Sequence, residues 1–315
     1  MKAERPLLVI VGATAVGKTD LSLQLARQFD GEIVSADSRL FYRGMDIGTA
    51  KPSAAEQASV PHHLIDICDP DETLTLAEYQ RLAYAAIERI QGNGRLPIVV
   101  GGTGQYVRAV VEGWGIPEVA PHPALREALA ALGGDELARW LRHLDPAAAE
   151  KLDPRNVRRV IRALEVTLLR GRPISELQRK NPPPYRIAQI GLHRDRASLY
   201  QRIDERVGLM MVNGLLAEVE KLRDEGYGRQ LPSMSGLGYR QLWAYLAGEM
   251  SLADAVERIK FETHRFARQQ ATWFRQDDPA INWFEPGEAG EKETASPEQV
   301  EEAAILFVRQ WLAKS

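Results

Sequence analysis

The run from Gly12 to Thr19 has the residue types and spacing of a phosphate-binding loop. It reads Gly-Ala-Thr-Ala-Val-Gly-Lys-Thr and matches the pattern Gly-x-x-x-x-Gly-Lys-Ser/Thr. The glycines permit a turn whose amides point inward, and a helix N-terminus behind the turn favours an anion. The ammonium of Lys18 suits terminal phosphates, and the hydroxyl of Thr19 suits Mg²⁺. The loop alone does not identify the phosphate compound.

Short apolar runs alternate with helical patterns around this loop. Strands are predicted at residues 7–11, 32–36, 64–67 and 97–100, and a helix at residues 74–90. Such alternation is typical of a parallel sheet. Because a strand precedes the loop and a helix follows it, a chance glycine-rich turn is a poor alternative.

Polar residues follow three of the predicted strands: the loop itself, Asp37 with Ser38, and Thr103 after two glycines. Ligands bind at the carboxyl ends of parallel strands, so these residues should converge on one crevice. Asp37 is a general base, a helix cap or an outer-shell Mg²⁺ ligand, and spacing alone does not separate these roles. Thr103 either donates to the substrate or closes a tight turn. His62 and His63 lack a third partner and are interpreted as structural.

The middle of the chain changes character. Residues 121–179 predict helices without strands, one of them over residues 157–169. A proline-rich linker and a strand at 187–192 follow, which favours a helical insertion in an α/β core. Further helices are predicted at 197–225, at 252–274 and after a capping sequence at Ser296. The predicted fold is α/β, with a parallel-sheet P-loop core (1–115 and 186–315) and an all-helical insertion domain (116–185).

Composition narrows the class of protein. The 315 residues carry a formal net charge of −3, although a local basic patch suffices to bind nucleic acid. The single cysteine, Cys68, excludes a disulfide framework and a cysteine-built zinc site. No apolar run reaches the ~18 residues of a membrane span, and residues 1–8 lack a signal-peptide core, so we expect a cytoplasmic protein with no membrane partner. Acidic residues crowd the end of the chain, at Glu285, Glu288, Glu291, Glu293, Glu298, Glu301 and Glu302.

Two groups of arginines recur at helical spacing. The first group, predicted to form one helix face, is Arg155, Arg158, Arg159 and Arg162. The second group has Trp273 and Phe274 beside it and comprises Arg258, Arg265, Arg268 and Arg275. Basic stripes with aromatic neighbours suit a nucleic-acid backbone and unstacked bases, whereas solvated or salt-bridged faces are the more common explanation of a single charge run.

Several motifs together resemble one family. Beside the phosphate loop they are Ser35-Ala36-Asp37-Ser38, the run from Tyr42 to Pro52, Pro61-His62-His63-Leu64, the run from Gly101 to Tyr106, the run from Arg162 to Val166, Gly238-Tyr239-Arg240-Gln241 and the run from Arg268 to Arg275. Together they resemble the bacterial tRNA dimethylallyltransferases, also called tRNA isopentenyltransferases, as far as about Arg275. The run from Met45 to Pro52 is highly specific, and the phosphate loop is not. The zinc finger that ends some eukaryotic members is absent, which favours the bacterial type.

The resemblance implies transfer of a dimethylallyl group from dimethylallyl diphosphate to the exocyclic amine of the adenosine 3′ of the anticodon, in tRNAs that read codons beginning with U. Asp37 would take the amine proton, with Thr103 as a second catalytic residue, and Leu40 stands where some members have glutamine and others leucine. The implied diphosphate contacts are Gly12, Ala13, Thr14, Ala15, Val16, Gly17, Lys18, Thr19 and Arg206. The implied tRNA contacts are Asp37, Ser38, Arg39, Leu40, Thr103, Arg126, Arg158, Arg159, Val160, Ile161, Arg162, Ser235, Gly236, Leu237, Gly238, Tyr239 and Arg240.

The expected partners are therefore the tRNA anticodon stem-loop and dimethylallyl diphosphate, with Mg²⁺ at Thr19 and the chain acting as a monomer. An adenylate prenyltransferase that uses free AMP, ADP or ATP is the nearest rival, and the arginine-bearing insertion favours tRNA. A small-molecule kinase is disfavoured, because the sequence contains no recognisable set of lid arginines. A GTPase or motor ATPase is disfavoured, since neither Asn-Lys-x-Asp nor a long apolar strand ending in Asp-Glu occurs. Intact Lys18, Thr19 and Asp37 argue against an inactive RNA-binding protein.

Overall fold

A computed structural model describes residues 5–286 and 296–314. Six parallel strands form one sheet in the order β3-β2-β4-β1-β5-β6. The strands are β1 (Arg5–Gly12), β2 (Gly31–Ser35), β3 (His62–His63), β4 (Leu96–Gly101), β5 (Tyr185–Leu192) and β6 (Ile281–Phe284). Among the described residues, no helix is long and apolar enough to cross a membrane.

Fourteen α-helices connect or flank these strands in the described residues. The first four are α1 (Lys18–Gln28), α2 (Ala54–Ser59), α3 (Leu76–Gly92) and α4 (Gly104–Val111). Five more are α5 (Pro123–Ala130), α6 (Gly134–Leu144), α7 (Pro146–Lys151), α8 (Val157–Arg170) and α9 (Ile174–Leu177). The last five are α10 (Arg196–Val212), α11 (Leu215–Asp224), α12 (Tyr239–Leu246), α13 (Leu252–Ala271) and α14 (Pro297–Leu312).

The chain divides into two compact units. One comprises Met1–Val107 and Pro184–Ser315 and contains the sheet, and the other comprises Arg108–Pro183 and contains α5 to α9. The alternation of apolar strands and amphipathic helices explains the first unit, since β1, β4 and β5 bury their side chains against α1 and α14. The predicted α/β class with a helical insertion is confirmed.

Two predicted elements differ from the structure. Residues 64–67 do not form a strand, because Leu64 and Asp66 adopt left-handed backbone angles (φ 61° and 55°) and β3 is instead the pair His62–His63. The long helix predicted at residues 197–225 is two helices, because Gly214 is left-handed (φ 98°) and ends the first of them. Both errors arise at single residues whose conformation the apolar pattern does not report.

Four elements that the sequence did not predict lie outside the helical segment at 121–179: α2, α4, α12 and β6. Each is short, at no more than eight residues, so its periodicity is weak. The helix predicted after Ser296 is present, and the Ser296 hydroxyl accepts a hydrogen bond from the amide of Gln299 in a capping box. Three residues of the acidic run, Glu288, Glu291 and Glu293, lie outside the described residues.

Candidate active site

The phosphate-binding loop connects the end of β1 to the start of α1. Gly17 caps the helix with φ 109°, a conformation that other residues rarely adopt. The ammonium of Lys18 turns back and donates to the carbonyls of Gly12 (3.1 Å) and Ala13 (2.7 Å). The loop is therefore closed around the lysine, as an anion-binding turn requires.

The pKa of Lys18 is lowered from 10.5 to about 8. Burial is the main cause, and the positive charge of Arg206 adds to it, while the negative charge of Asp37 opposes it. In the ligand-free site, the negative charge near the ammonium of Lys18 is therefore too small to offset the cost of burying it. A bound anion would supply the missing charge.

Three arginines from the chain after β5 surround the loop. Arg202 donates from Nε to the carbonyl of Ala15 at 3.1 Å, and Arg194 donates from Nε to the carbonyl of Val16 at 3.4 Å. Arg206, on the same helix as Arg202, makes no hydrogen bond or ion pair within residues 5–286 and 296–314. Burial lowers the pKa of Arg206, with Asp37 opposing. A partly buried guanidinium with unused donors is a good anion ligand.

Asp37 and Thr103 meet at the ends of β2 and β4. The carboxylate oxygen Oδ1 of Asp37 accepts a hydrogen bond from the amide of Arg39 at 2.9 Å, which closes an Asx turn. The hydroxyl of Thr103 accepts from the amide of Ser38 at 3.5 Å. Residues 38–53, all of which the structure describes, form no helix, so the helix-cap alternative is wrong. In the described part of the chain, its Oδ2 atom carries no hydrogen bond.

Two cavities lie beside Asp37, within the sheet-containing unit. The first, of about 660 Å³, is lined by Ser38, Thr103, residues 235–240 and the inner side of α13. The second, of about 530 Å³, is lined by Lys18, Thr19 and residues 49–52. The two cavities share five lining residues: Thr14, Ala15, Asp37, Thr49 and Arg206. The carboxylate is therefore at the junction of the cavity lined by the loop and the larger one.

Gln270, on α13, links the loop to the end of β4. Its side-chain oxygen accepts from the amide of Thr14 at 2.8 Å, and its side-chain nitrogen donates to the carbonyl of Gly102 at 3.0 Å. The side chain is only 4% exposed. Sequence reasoning placed Gln270 inside a family motif without giving it a role, because its two partners are 256 and 168 residues away.

The wall of the first cavity at residues 235–240 is held by charged side chains. Arg39 donates to the carbonyls of Pro232 (3.0 Å) and Ser233 (3.2 Å), and to the hydroxyl of Ser235 (3.1 Å). Arg240 makes an ion pair with Glu262 of α13, which also binds Arg258 at 2.9 Å. The guanidinium of Arg39 is thus engaged with protein atoms, and a nucleic acid would reach it only at its edge.

The helical unit has its own charged centre. Glu165 is fully buried and accepts from Nε and Nη2 of Arg126 (both 2.8 Å), from Arg162 (2.7 Å) and from the amide of His122 (2.7 Å). Burial opposes ionisation, but the hydrogen bonds outweigh it and lower the pKa of Glu165 to about 2. Arg126 and Arg162 are therefore tied to the interior of this unit on one side.

The predicted arginine face of this unit is smaller than its sequence spacing suggests. Arg155 precedes α8 and pairs with Asp153 at 2.8 Å, so it is not on the helix. Val160 and Ile161 are buried in the core of the unit, so their side chains cannot line a nucleic-acid surface. Arg158 and Arg159 are exposed at the start of α8. They remain predictions as nucleic-acid contacts.

The structure brings most of the other predicted residues together at the two cavities. Three residues of the loop, Gly12, Ala13 and Val16, do not line either cavity, and Val16 is buried in the core. Leu40 lines the second cavity instead of the first. The residues present at the cavities are Thr14, Ala15, Gly17, Lys18, Thr19, Asp37, Ser38, Arg39, Leu40, Thr103, Arg206, Ser235, Gly236, Leu237, Gly238, Tyr239 and Arg240.

This fold and site define a P-loop protein with a carboxylate where two cavities adjoin at the carboxyl ends of the strands. The model of the IPP transferase family matches residues 40–277. The chain is 52% identical to a tRNA dimethylallyltransferase of Roseiflexus sp. (strain RS-1), over 98% of this chain and 99% of that protein. It is 57% identical to a tRNA dimethylallyltransferase of Herpetosiphon aurantiacus, over 88% of this chain and 89% of that protein.

Solved structures agree with these sequence matches. A tRNA isopentenylpyrophosphate transferase from Bacillus halodurans superposes with a TM-score of 0.73 at 39% identity, covering 99% of this chain and 98% of that one. A eukaryotic dimethylallyltransferase acting on tRNA superposes with a TM-score of 0.84 at 26% identity, covering 98% of this chain and 80% of that one. The chain belongs to the tRNA dimethylallyltransferase family.

Proposed function

We propose that this chain transfers a dimethylallyl group from dimethylallyl diphosphate to the exocyclic amine of an adenosine in tRNA. The target is the adenosine 3′ of the anticodon in tRNAs that read codons beginning with U, and diphosphate is released. The observation that carries the proposal is the position of Asp37 between the two cavities. Family membership supports the same activity. The chain performs it as a cytoplasmic monomer.

The second cavity holds the diphosphate of the donor. The amides of the loop, the ammonium of Lys18 and the free guanidinium of Arg206 face the place where negative charge develops as the allylic carbon–oxygen bond breaks. Because Lys18 and Arg206 are both desolvated, their attraction to the leaving group is stronger than it would be in water. The loop thus stabilises a leaving group and does not supply energy.

Mg²⁺ fits this cavity. The Thr19 hydroxyl lines it, and the described residues contain no cluster of three or more His, Cys, Asp or Glu side chains able to hold a metal alone. In such sites, phosphate oxygens and water molecules supply most of the ligands of Mg²⁺. When bound, it would neutralise charge on the diphosphate, with Thr19 as its protein ligand.

The first cavity holds the acceptor adenine. The base leaves its stack in the anticodon loop, at a cost of a few kcal/mol, to enter a site of this kind. The amine nitrogen attacks the first carbon of the allyl group, the carbon–oxygen bond breaks, and its electron pair stays with diphosphate. The amine proton passes to Oδ2 of Asp37, the oxygen that is free of the Arg39 amide. The Thr103 hydroxyl contacts the acceptor, and Arg158 and Arg159 hold the RNA backbone.

A labelled donor tests this function. Radiolabelled dimethylallyl diphosphate is offered with unmodified tRNA, with AMP or with neither acceptor, in the presence of Mg²⁺. Label in the tRNA alone, at the adenosine 3′ of the anticodon, is the expected result. Label on AMP and none on tRNA would establish an adenylate prenyltransferase instead.

A further inference from the structure

The carboxylate of Glu218, on α11, collects four hydrogen bonds from two distant segments. Its Oε2 atom accepts from the amides of Asp46 (2.9 Å) and Ile47 (2.7 Å). Its Oε1 atom accepts from the amide of Gly48 (3.1 Å) and from the hydroxyl of Tyr239 (2.6 Å). Three successive amides that point at one carboxylate form an anion-binding nest, here filled by the protein itself.

The segment held by Glu218, residues 46–52, forms the wall between the two cavities. Gly48 and Thr49 line the first cavity, and Thr49 also lines the second with residues 50–52. Lys51, at the far end of the segment, adds a second set of contacts, since its ammonium binds the carbonyl of Tyr42 (2.9 Å) and the carboxylates of Asp46 and Asp66. Glu218 supplies the hydrogen-bond acceptors for the backbone amides of residues 46–48, which the lysine does not bind.

Tyr239 connects the same carboxylate to the opposite wall. It begins α12, next to Gly238 and Arg240 of the first cavity, and is 1% exposed. Its ring lies so close to Gly48 that a Cβ there would approach ring atoms to 2.6 Å. Burial, together with the charge of Glu218, raises the pKa of the Tyr239 phenol, so it remains a hydrogen-bond donor.

No arginine, lysine or histidine pairs with Glu218 among residues 5–286 and 296–314, so its charge is balanced by amides and a phenol alone. A carboxylate is the side chain that can accept from four donors at once. A glutamine of the same size accepts at one atom only, and its NH₂ group would face either the Gly48 amide or the amides of Asp46 and Ile47. The arrangement thus depends on the chemistry of Glu218 and not merely on its volume.

We infer that Glu218 is a positioning residue for the transfer reaction, and this inference rests on the proposed function. It holds the wall shared by the two cavities and the Tyr239 wall in one arrangement, which keeps the allylic carbon of the donor in line with the amine of the acceptor. Because a displacement of about 1 Å between reacting groups costs about 10²-fold in rate, loss of this carboxylate acts on the transfer step. Glu218 itself touches neither substrate.

Glu218→Gln tests the inference, with Glu220→Gln on the same helix as the matched control. We expect Glu218→Gln to lower the single-turnover rate by about 10–100-fold, while the Kd values for inorganic diphosphate and for tRNA stay within about threefold of the wild type. The amides of residues 46–48 should also exchange hydrogen faster. Tyr239→Phe should add little in the Glu218→Gln background, because both changes remove the same contact.

Two results would overturn the inference. One is a wild-type rate in Glu218→Gln, and the other is a loss of diphosphate binding in step with the loss of rate, which marks a purely structural role. Unchanged hydrogen exchange at residues 46–48 would overturn it without any activity measurement. A wild-type protein that prenylates no tRNA would refute the proposed function instead, so the two failures are distinguishable.

Discussion

The side-chain oxygen of Gln270 accepts a hydrogen bond of 2.8 Å from the backbone amide of Thr14, a residue 256 positions earlier in the chain. The same side chain donates to Gly102, one residue before Thr103. The phosphate loop and the end of β4 are therefore fixed to each other through α13. This connection places the two predicted ligands, diphosphate and acceptor, at a defined separation.

Gln270→Ala should lower kcat and raise the KM for the donor, together by about 10–100-fold in kcat/KM, because the loop and Thr103 lose their common anchor. Steady-state kinetics with tRNA and dimethylallyl diphosphate measure this. Gln310→Ala, at an exposed position of α14, is the control. Normal kinetics in Gln270→Ala would show that the link is dispensable.

Asp37→Asn should reduce the single-turnover rate by about 10²–10⁴-fold, the usual contribution of a general base. The amide oxygen of asparagine can still accept from Arg39, so the turn is kept while the proton acceptor is lost. tRNA affinity, measured by filter binding, should stay within about threefold because the substitution leaves the phosphate contacts intact. A rate equal to that of the wild type would refute the assignment of Asp37.

Donor binding should weaken as pH rises through about 8, because the ammonium of Lys18 titrates there in the free protein. The sign follows from the lowered pKa: below about 8 the lysine is charged and attracts the diphosphate, and above it the lysine is neutral. The pH profile of kcat/KM for the donor measures this. Lys18→Arg, which stays charged, should lose this limb of the profile, and a limb that persists in Lys18→Arg would belong to another group.

Replacement of both Arg158 and Arg159 by glutamine should weaken tRNA binding and reduce the slope of log K against log salt by about 1–2, since each phosphate contact contributes about 0.7–0.9. Affinity for dimethylallyl diphosphate should not change. Arg139→Gln, at an exposed arginine paired with Glu136, is the control. Equal losses of tRNA and donor affinity would show that these arginines are not an RNA contact.

Glu165→Ala should destabilise the helical unit by at least about 1–3 kcal/mol, the cost of leaving buried donors without an acceptor. Its pKa of about 2 lies below the usual 4.5, so the wild type should lose this stabilisation as pH falls from about 4.5 towards 2. Urea unfolding monitored at Trp140 of this unit measures both effects. A variant whose stability keeps the wild-type pH dependence would contradict the role of Glu165.

The fold class and the phosphate loop could be predicted from sequence because their signals are local. The apolar strand, the glycine turn and Lys18 lie within a dozen residues. The helical pattern on both sides of Gly214 is local too, so the sequence predicts helix there and misses only the break. The roles of Gln270 and Glu218 could not be predicted, since the backbone groups that they bind are more than 160 residues away in sequence. The burial of Val160 and Ile161 could not be predicted from the arginine spacing either, because both residues directly follow the exposed Arg158 and Arg159 in the chain.

Arg39 is two residues from Asp37 and is bound to the carbonyls of Pro232 and Ser233. This contact has a consequence for redesign of the enzyme toward other acceptor bases. Leu237 can be randomised in a library while Asp37 keeps its orientation, provided that the two carbonyls and Arg39 are retained, whereas Tyr239 has to stay because its hydroxyl binds Glu218. Libraries that extend into residues 232–233 should contain far fewer active clones, even where no exchanged side chain meets the base.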